Sequence, residues 1–120
     1  MHTDIYTWRE PEFGTTDLTG FKVEATDGSI GKVDDVTTET GFNCLVVDTG
    51  PWILGKKVVL PAGVIQSIDH EDGRVFVDRT KDEIKDAPEF DEDRFRDETY
   101  RSDLGRHYST RMPERTTPRV

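Results

Sequence analysis

Between Phe21 and Asp86 the chain alternates short apolar runs with polar punctuation. In "FKVEA", Phe21, Val23 and Ala25 alternate with Lys22 and Glu24, the two-residue period of a strand with one face buried. "IGKVDDV", "CLVVD", "KKVVLP", "VIQSID" and "RVFVD" follow, each short and rich in β-branched residues. The segments between them, "TDGS", "TETG", "DTGP", "PAG" and "HEDG", are built from turn-forming residues. The pattern predicts a mainly β domain, an antiparallel meander that curls into a small barrel or sandwich, since closing the sheet removes exposed edges. "HEDGR" is the sharpest hairpin signal, since its Asp-Gly step supplies the positive φ that a tight turn needs.

The period changes after Asp78. In "DRTKDEIKDAP", Thr80 stands three residues before Glu83, the spacing of a capping box, and Pro88 stops the segment. A helical turn or two is expected there, with Ile84 facing the sheet. "EFDEDRFRDETYRSDLGRHY" predicts a second helix from Asp91, with Phe95 and Tyr100 on a thin apolar stripe. So short a helix is marginal alone and has to dock on something or fray. "STRMPERTTPRV" reads as a disordered end. Three parts result: an N-terminal extension at 1–16, a β domain at 17–86 and a polar, partly helical C-terminal extension at 87–120. Nearly every Val and Ile lies in the middle part, so the core is expected there alone.

With 32% apolar and 34% charged residues in 120, the core must be small. The net charge of −9 argues against general affinity for nucleic acid or anionic membranes. The single cysteine, Cys44, excludes an internal disulfide, and its place in "FNCLVV" suits a buried hydrophobe. The opening "MHTDIYTWREPEF" lacks the pattern of a secretory signal, and no run approaches the roughly 18 apolar residues that span a bilayer. A soluble cytoplasmic protein without membrane insertion is the expectation.

The stretch "GFKVEATDGSIGKVDDV" tests for catalysis or ligand binding. A phosphate loop needs four residues between its first glycine and Gly-Lys, then a hydroxyl. Here two residues separate Gly28 from Gly31, and Val33 follows Lys32. The alternating acids and distant Glu of a calcium loop are absent around Asp27. A turn at Asp27-Gly28 fits, with Gly31 relieving crowding in the next strand. Asp34 and Asp35 are adjacent, so in a regular strand they point to opposite faces and cannot share one proton-transfer task. His2, His70 and His107 have no ligand spacing, and no serine sits in a nucleophile-elbow pattern. No enzyme activity, metal or cofactor is expected.

"DTGPWILGKK" puts Pro51, Trp52, Ile53 and Leu54 in succession, more apolar bulk than one strand face buries. Trp52, Ile53 and Leu54, with Phe90, Phe95 and Tyr100 of the extension, are the candidate partner-contact residues.

"DLTGFKVEATDGSIGKVDDV", "CLVVDTG" and "VVLPAGVIQSID", in this order and spacing, resemble the PRC-barrel family, from Asp17 to Phe90. "VDRTKDEIKDAPEFD" looks like the extension of stand-alone bacterial members. That family includes the cytoplasmic domain of the photosynthetic reaction centre H subunit and the C-terminal domain of a ribosome maturation factor. The resemblance implies a small, strongly bent antiparallel β-barrel that works by contacting other proteins, a membrane complex in one case and a ribosomal protein in the other. It brings no catalytic or ligand residues with it. The expected function is a non-enzymatic protein-interaction or scaffold module, self-associating as a homodimer or larger homo-oligomer. The alternative is an RNA- or ribosome-associated factor, with the barrel touching protein and the tail arginines touching phosphate. A third reading, a small-molecule or metal-binding barrel, would need a polar pocket near Asp27 or Asp34.

Overall fold

A computed structural model describes residues 5–15, 17–39, 42–50, 56–95 and 97–109. All six anticipated strands form: β1 (Lys22–Ala25), β2 (Gly28–Glu39), β3 (Phe42–Asp48), β4 (Lys57–Pro61), β5 (Ile65–Asp69) and β6 (Arg74–Val77). They make one sheet in the order β4-β3-β2-β1-β6-β5. β1 to β4 are the expected antiparallel meander, and β5–β6 is the expected hairpin. At its tip the Asp69 carboxylate accepts from the Glu71 and Asp72 amides, and Gly73 takes φ +66.

The sheet is mixed, which corrects the expectation of a wholly antiparallel one: β6 runs parallel to β1. The cause is the segment after Pro61. Its residues Ala62–Val64 form a turn of 3-10 helix instead of a reversing turn. β5 therefore continues in the sense of β4, and β6, reversing β5, comes up parallel to β1. β4 and β5 are opposite edges of the sheet, yet only three residues join them. Four Cα–Cα steps reach at most ~15 Å, so the sheet is strongly curled. Its edges share no ladder among the described residues, so hydrogen bonds do not close it into a barrel.

β2 supplies much of the bend through two bulges. Val23 faces Gly31 and Glu24 faces Ser29, leaving Ile30 as an extra residue; Val33 faces Val47 and Asp35 faces Val46, leaving Asp34 as another. An unpaired residue in one strand tightens the local twist.

The capping box forms as read: Thr80 caps α1 (Lys81–Lys85), accepts from the Glu83 amide and donates its own amide to the Glu83 side chain. Ile84 is fully buried. The second helix, α2 (Glu98–Ser109), starts seven residues later than expected. Asp91 begins a turn instead, its side chain accepting from the Asp93 amide and its carbonyl from the Phe95 amide. The local side-chain bond competes with a helix start there. Ser109 belongs to α2, and residues 110–120 of the expected disordered end lie outside the described residues.

Both extensions join the core. Tyr6 and Phe13 from the N-terminal side, and Phe95, Leu104 and Tyr108 from the C-terminal side, are all buried. The Gly63 amide donates to the Ile5 carbonyl at 2.7 Å, and the Asn43 side chain to the Tyr6 carbonyl at 2.9 Å, so residues 5–9 lie over the β4–β5 corner. Buried Arg79 donates to the Tyr108 carbonyl at 2.8 Å, satisfying a carbonyl in the last turn of α2. Asp78 pairs with Arg79 and with Arg9, tying the two extensions to the end of β6.

Cys44 is fully buried against Thr37, as expected of a small hydrophobe. Burial pushes its thiol from an ordinary 9.0 up to about 12. Its unfolded counterpart therefore loses the proton first, so this contribution to stability is intact below pH 9 and drains away as pH rises toward 12. Tyr100 and Tyr108, also raised by burial, act in the same direction. The urea midpoint is expected to decline steadily above pH 9, and Cys44→Ala to flatten the onset of that decline. In native protein at pH 8 a thiol reagent should react with Cys44 only as fast as the protein opens. Prompt stoichiometric labelling would contradict this.

Candidate partner-binding groove

The bulge at Asp34 has a consequence for the two adjacent aspartates. In regular strand they would point apart. Here both are exposed, and both line one groove, which corrects the expectation of opposite faces. The groove has a volume of about 350 Å³ and is lined by Asp34, Asp35, Val46, Lys57, Phe90, Glu92 and Phe95.

Its far wall comes from the segment after α1. The Phe90 amide donates to the Lys57 carbonyl at 3.4 Å, laying the chain beside the β4 edge. Lys56 pairs with Glu89 at 2.6 Å, and the Tyr100 hydroxyl donates to the Pro88 carbonyl at 3.2 Å. Phe90 and Phe95 pack as a tilted pair, ring centroids 5.1 Å apart. Phe95 in turn lies 5.7 Å from Phe42, which Tyr6 approaches at 4.9 Å and the Arg101 guanidinium covers at 4.2 Å. This aromatic cluster explains why β3 is buried on both faces: the sheet interior covers one and residues 88–109 the other.

Asp34 holds Lys57 at 2.9 Å, and this hydrogen bond raises the Lys57 pKa. Both side chains are more than 40% exposed, so the pair adds little to stability. Asp35 and Glu92 have no ion-pair partner among the described residues, which leaves two carboxylates over a partly aromatic floor. Such an arrangement suits a lysine or arginine, whose methylenes lie on the ring while its head meets the acids.

Of the six candidate contact residues, Phe90, Phe95 and Tyr100 come together on the outer side of β3 and β4. Phe95 is only 6% exposed and belongs to the core; Phe90 and Tyr100 are half-buried. Trp52, Ile53 and Leu54 lie outside the described residues. The flanks of their segment are joined by the Thr49 hydroxyl, which donates to the Lys56 carbonyl at 2.8 Å. Asp27 takes no part in the groove; its carboxylate accepts from the Lys81 amide at 2.9 Å, satisfying a free N–H at the start of α1. Among the described residues no three His, Cys, Asp or Glu side chains are grouped to hold a metal.

A larger groove, about 640 Å³, runs between α1 and α2. It is the seam of their docking, where His107 Nε2 lies 2.6 Å from the Glu83 carbonyl. α2 is thus held by its own chain, which removes one ground for self-association, that the helix had to find another molecule. No helix among the described residues is long and apolar enough to cross a membrane.

The family model described as the RimM PRC barrel domain matches residues 15–82. The chain belongs to this family. Among solved structures it is similar to a Pseudomonas aeruginosa protein bearing the name 16S ribosomal RNA processing protein RimM. The two are 28% identical, with a TM-score of 0.47, over 54% of this chain and 42% of that one. The chain thus spans less than half the length of that protein. Comparison with curated proteins gave no match. The RimM PRC barrel match ends at Asp82, so Phe90, Glu92 and Phe95 lie beyond it, while Asp34, Asp35, Val46 and Lys57 lie within it.

Proposed function

We propose that the chain is a non-catalytic accessory factor of ribosome assembly, an open, strongly curled barrel whose groove grips a basic segment of a ribosomal protein. Membership of the RimM PRC barrel family supports the ribosomal setting. The observation that carries the choice of partner is the groove itself, which is lined by three acids, Asp34, Asp35 and Glu92, against a single lysine, with Phe90 and Phe95 beside them. A net charge of −9 attracts basic proteins over a long range. Protein contact through the β domain is also the role that the ribosomal alternative gives to the barrel.

The test is pull-down and co-sedimentation of the chain with small-subunit precursor particles and with purified basic ribosomal proteins. Asp35→Lys with Glu92→Lys reverses two exposed charges without touching the core, and is expected to weaken capture more than ~10-fold. Capture that survives this double reversal at low salt would count against the groove. Capture of none of the basic ribosomal proteins by the wild type would sink the function as a whole.

A further inference from the structure

The ladders align one residue from every strand in a single row across the sheet. From edge to edge it reads Lys57, Asp48, Lys32, Lys22, Arg74 and Asp69. At both ends neighbours alternate in sign, the arrangement that cross-strand electrostatics favours. In the middle the alternation fails, and three cations stand side by side on β2, β1 and β6. Neighbouring strands lie ~4.8 Å apart, and like charges directly opposite each other destabilise a sheet. A chain with 25 acidic and 16 basic residues does not place three cations together through scarcity of acids.

Arg74 is partly neutralised, by Glu24 at 2.7 Å and Asp72 at 3.9 Å. Lys22 and Lys32 are exposed and have no ion-pair partner among the described residues. All three lie on the outer face, because Val23, Val33 and Val75 beside them point inward and are at most 2% exposed.

Two ladder rows further along β6 stands Phe76, level with Glu24 and Ser67. Val75 and Val77 on either side are buried, so Phe76 is turned out, away from the core, and is half-buried. Two residues along a strand separate it from Arg74, a distance of ~6.6 Å, within the span of one nucleotide. A flat ring on the outer face, with cations two rows away, offers a base a stacking surface and its phosphates a charged rail.

We propose that the outer face of β1, β2 and β6 contacts single-stranded RNA, with phosphates over Lys32, Lys22 and Arg74 and a base stacked on Phe76. This surface shares no residue with the acidic groove. It also differs from the sequence-based alternative, in which tail arginines touch phosphate. The net negative charge of the chain opposes the approach of free RNA, so the contact is short-range and weak in isolation.

A method that reads weak binding residue by residue is therefore the test: an amide-resolved NMR titration of the full chain with a six-nucleotide mixed-sequence RNA, at several salt concentrations. Shifts are expected at residues 22–24, 32 and 74–76. Phe76→Ala should weaken binding roughly 5- to 100-fold. Lys22→Gln with Lys32→Gln should lower the slope of log affinity against log salt by about 1.4, since each single-strand phosphate that a lysine neutralises adds ~0.7 to that slope. Asp35→Lys with Glu92→Lys should leave the mapped residues unchanged, so the groove and this face fail separately. The proposal is overturned if no shifts appear on this face at low salt. It is equally overturned if binding vanishes in Arg111→Gln with Arg115→Gln and Arg119→Gln but persists in the lysine variant.

Discussion

Phe42→Ala is expected to cost about 3–5 kcal/mol, a large share of the roughly 5–15 kcal/mol typical of a domain. Phe42 is fully buried where three separate parts of the chain meet. Tyr6 reaches its ring from the N-terminal extension at 4.9 Å, Phe95 from the C-terminal extension at 5.7 Å, and Arg101 of α2 lies over its face at 4.2 Å. Truncation removes the area buried by the ring, leaves a cavity, and deletes edge-to-face and cation–π contacts that alanine cannot replace. Beyond the loss in urea midpoint, the variant should release residues 88–109 before the sheet unfolds. Limited proteolysis would then cut between Phe90 and Leu104 under conditions that leave the wild type intact. A loss below about 1 kcal/mol, with no new cleavage, would show that the extensions are held by something other than this cluster.

Gly31→Ala is expected to be comparably severe, about 3 kcal/mol or more, for a different reason. Gly31 adopts φ +149, and an added Cβ would stand 2.1 Å from the Asp48 carbonyl oxygen. The obstacle is backbone of the neighbouring strand, not the end of a flexible side chain. Relief requires β2 and β3 to separate where Lys32 faces Asp48, next to both bulges. Gly20→Ala is the control: φ is +88, but nothing lies within 4 Å of its Cβ, so only the backbone preference is lost, about 1–2 kcal/mol. Urea titration of the two variants separates steric from conformational cost. Equal losses would mean that the close approach at Gly31 relaxes freely.

The groove shows where pattern reading reaches its limit. Strand periodicity sends Asp34 and Asp35 to opposite faces because it assumes an unbroken ladder. The bulge that puts them together is specified by how β2 pairs with β3, and neither strand carries it in its own sequence. The second wall, from Phe90 to Phe95, lies more than fifty residues away and is brought in by the Phe42 cluster. Asp27 is readable as a turn residue, yet its service to the first amide of α1 depends on where β6 delivers the helix.

Local rules sufficed wherever the deciding interaction was local. Short runs rich in β-branched residues between turn residues marked all six strands, Thr80 and Glu83 the start of α1, the Asp72-Gly73 step the hairpin tip, and the apolar neighbours of Cys44 its burial. Tertiary structure decided whatever joins distant parts. "PAG" looks like a reversing turn, but the Gly63 amide is taken by Ile5 and the chain rounds a corner there, which makes β6 parallel to β1. The two extensions look too polar to bury anything alone, and alone they would not. They order because Phe42, Arg79 and Asp78 offer contacts across the fold that no short window of sequence contains.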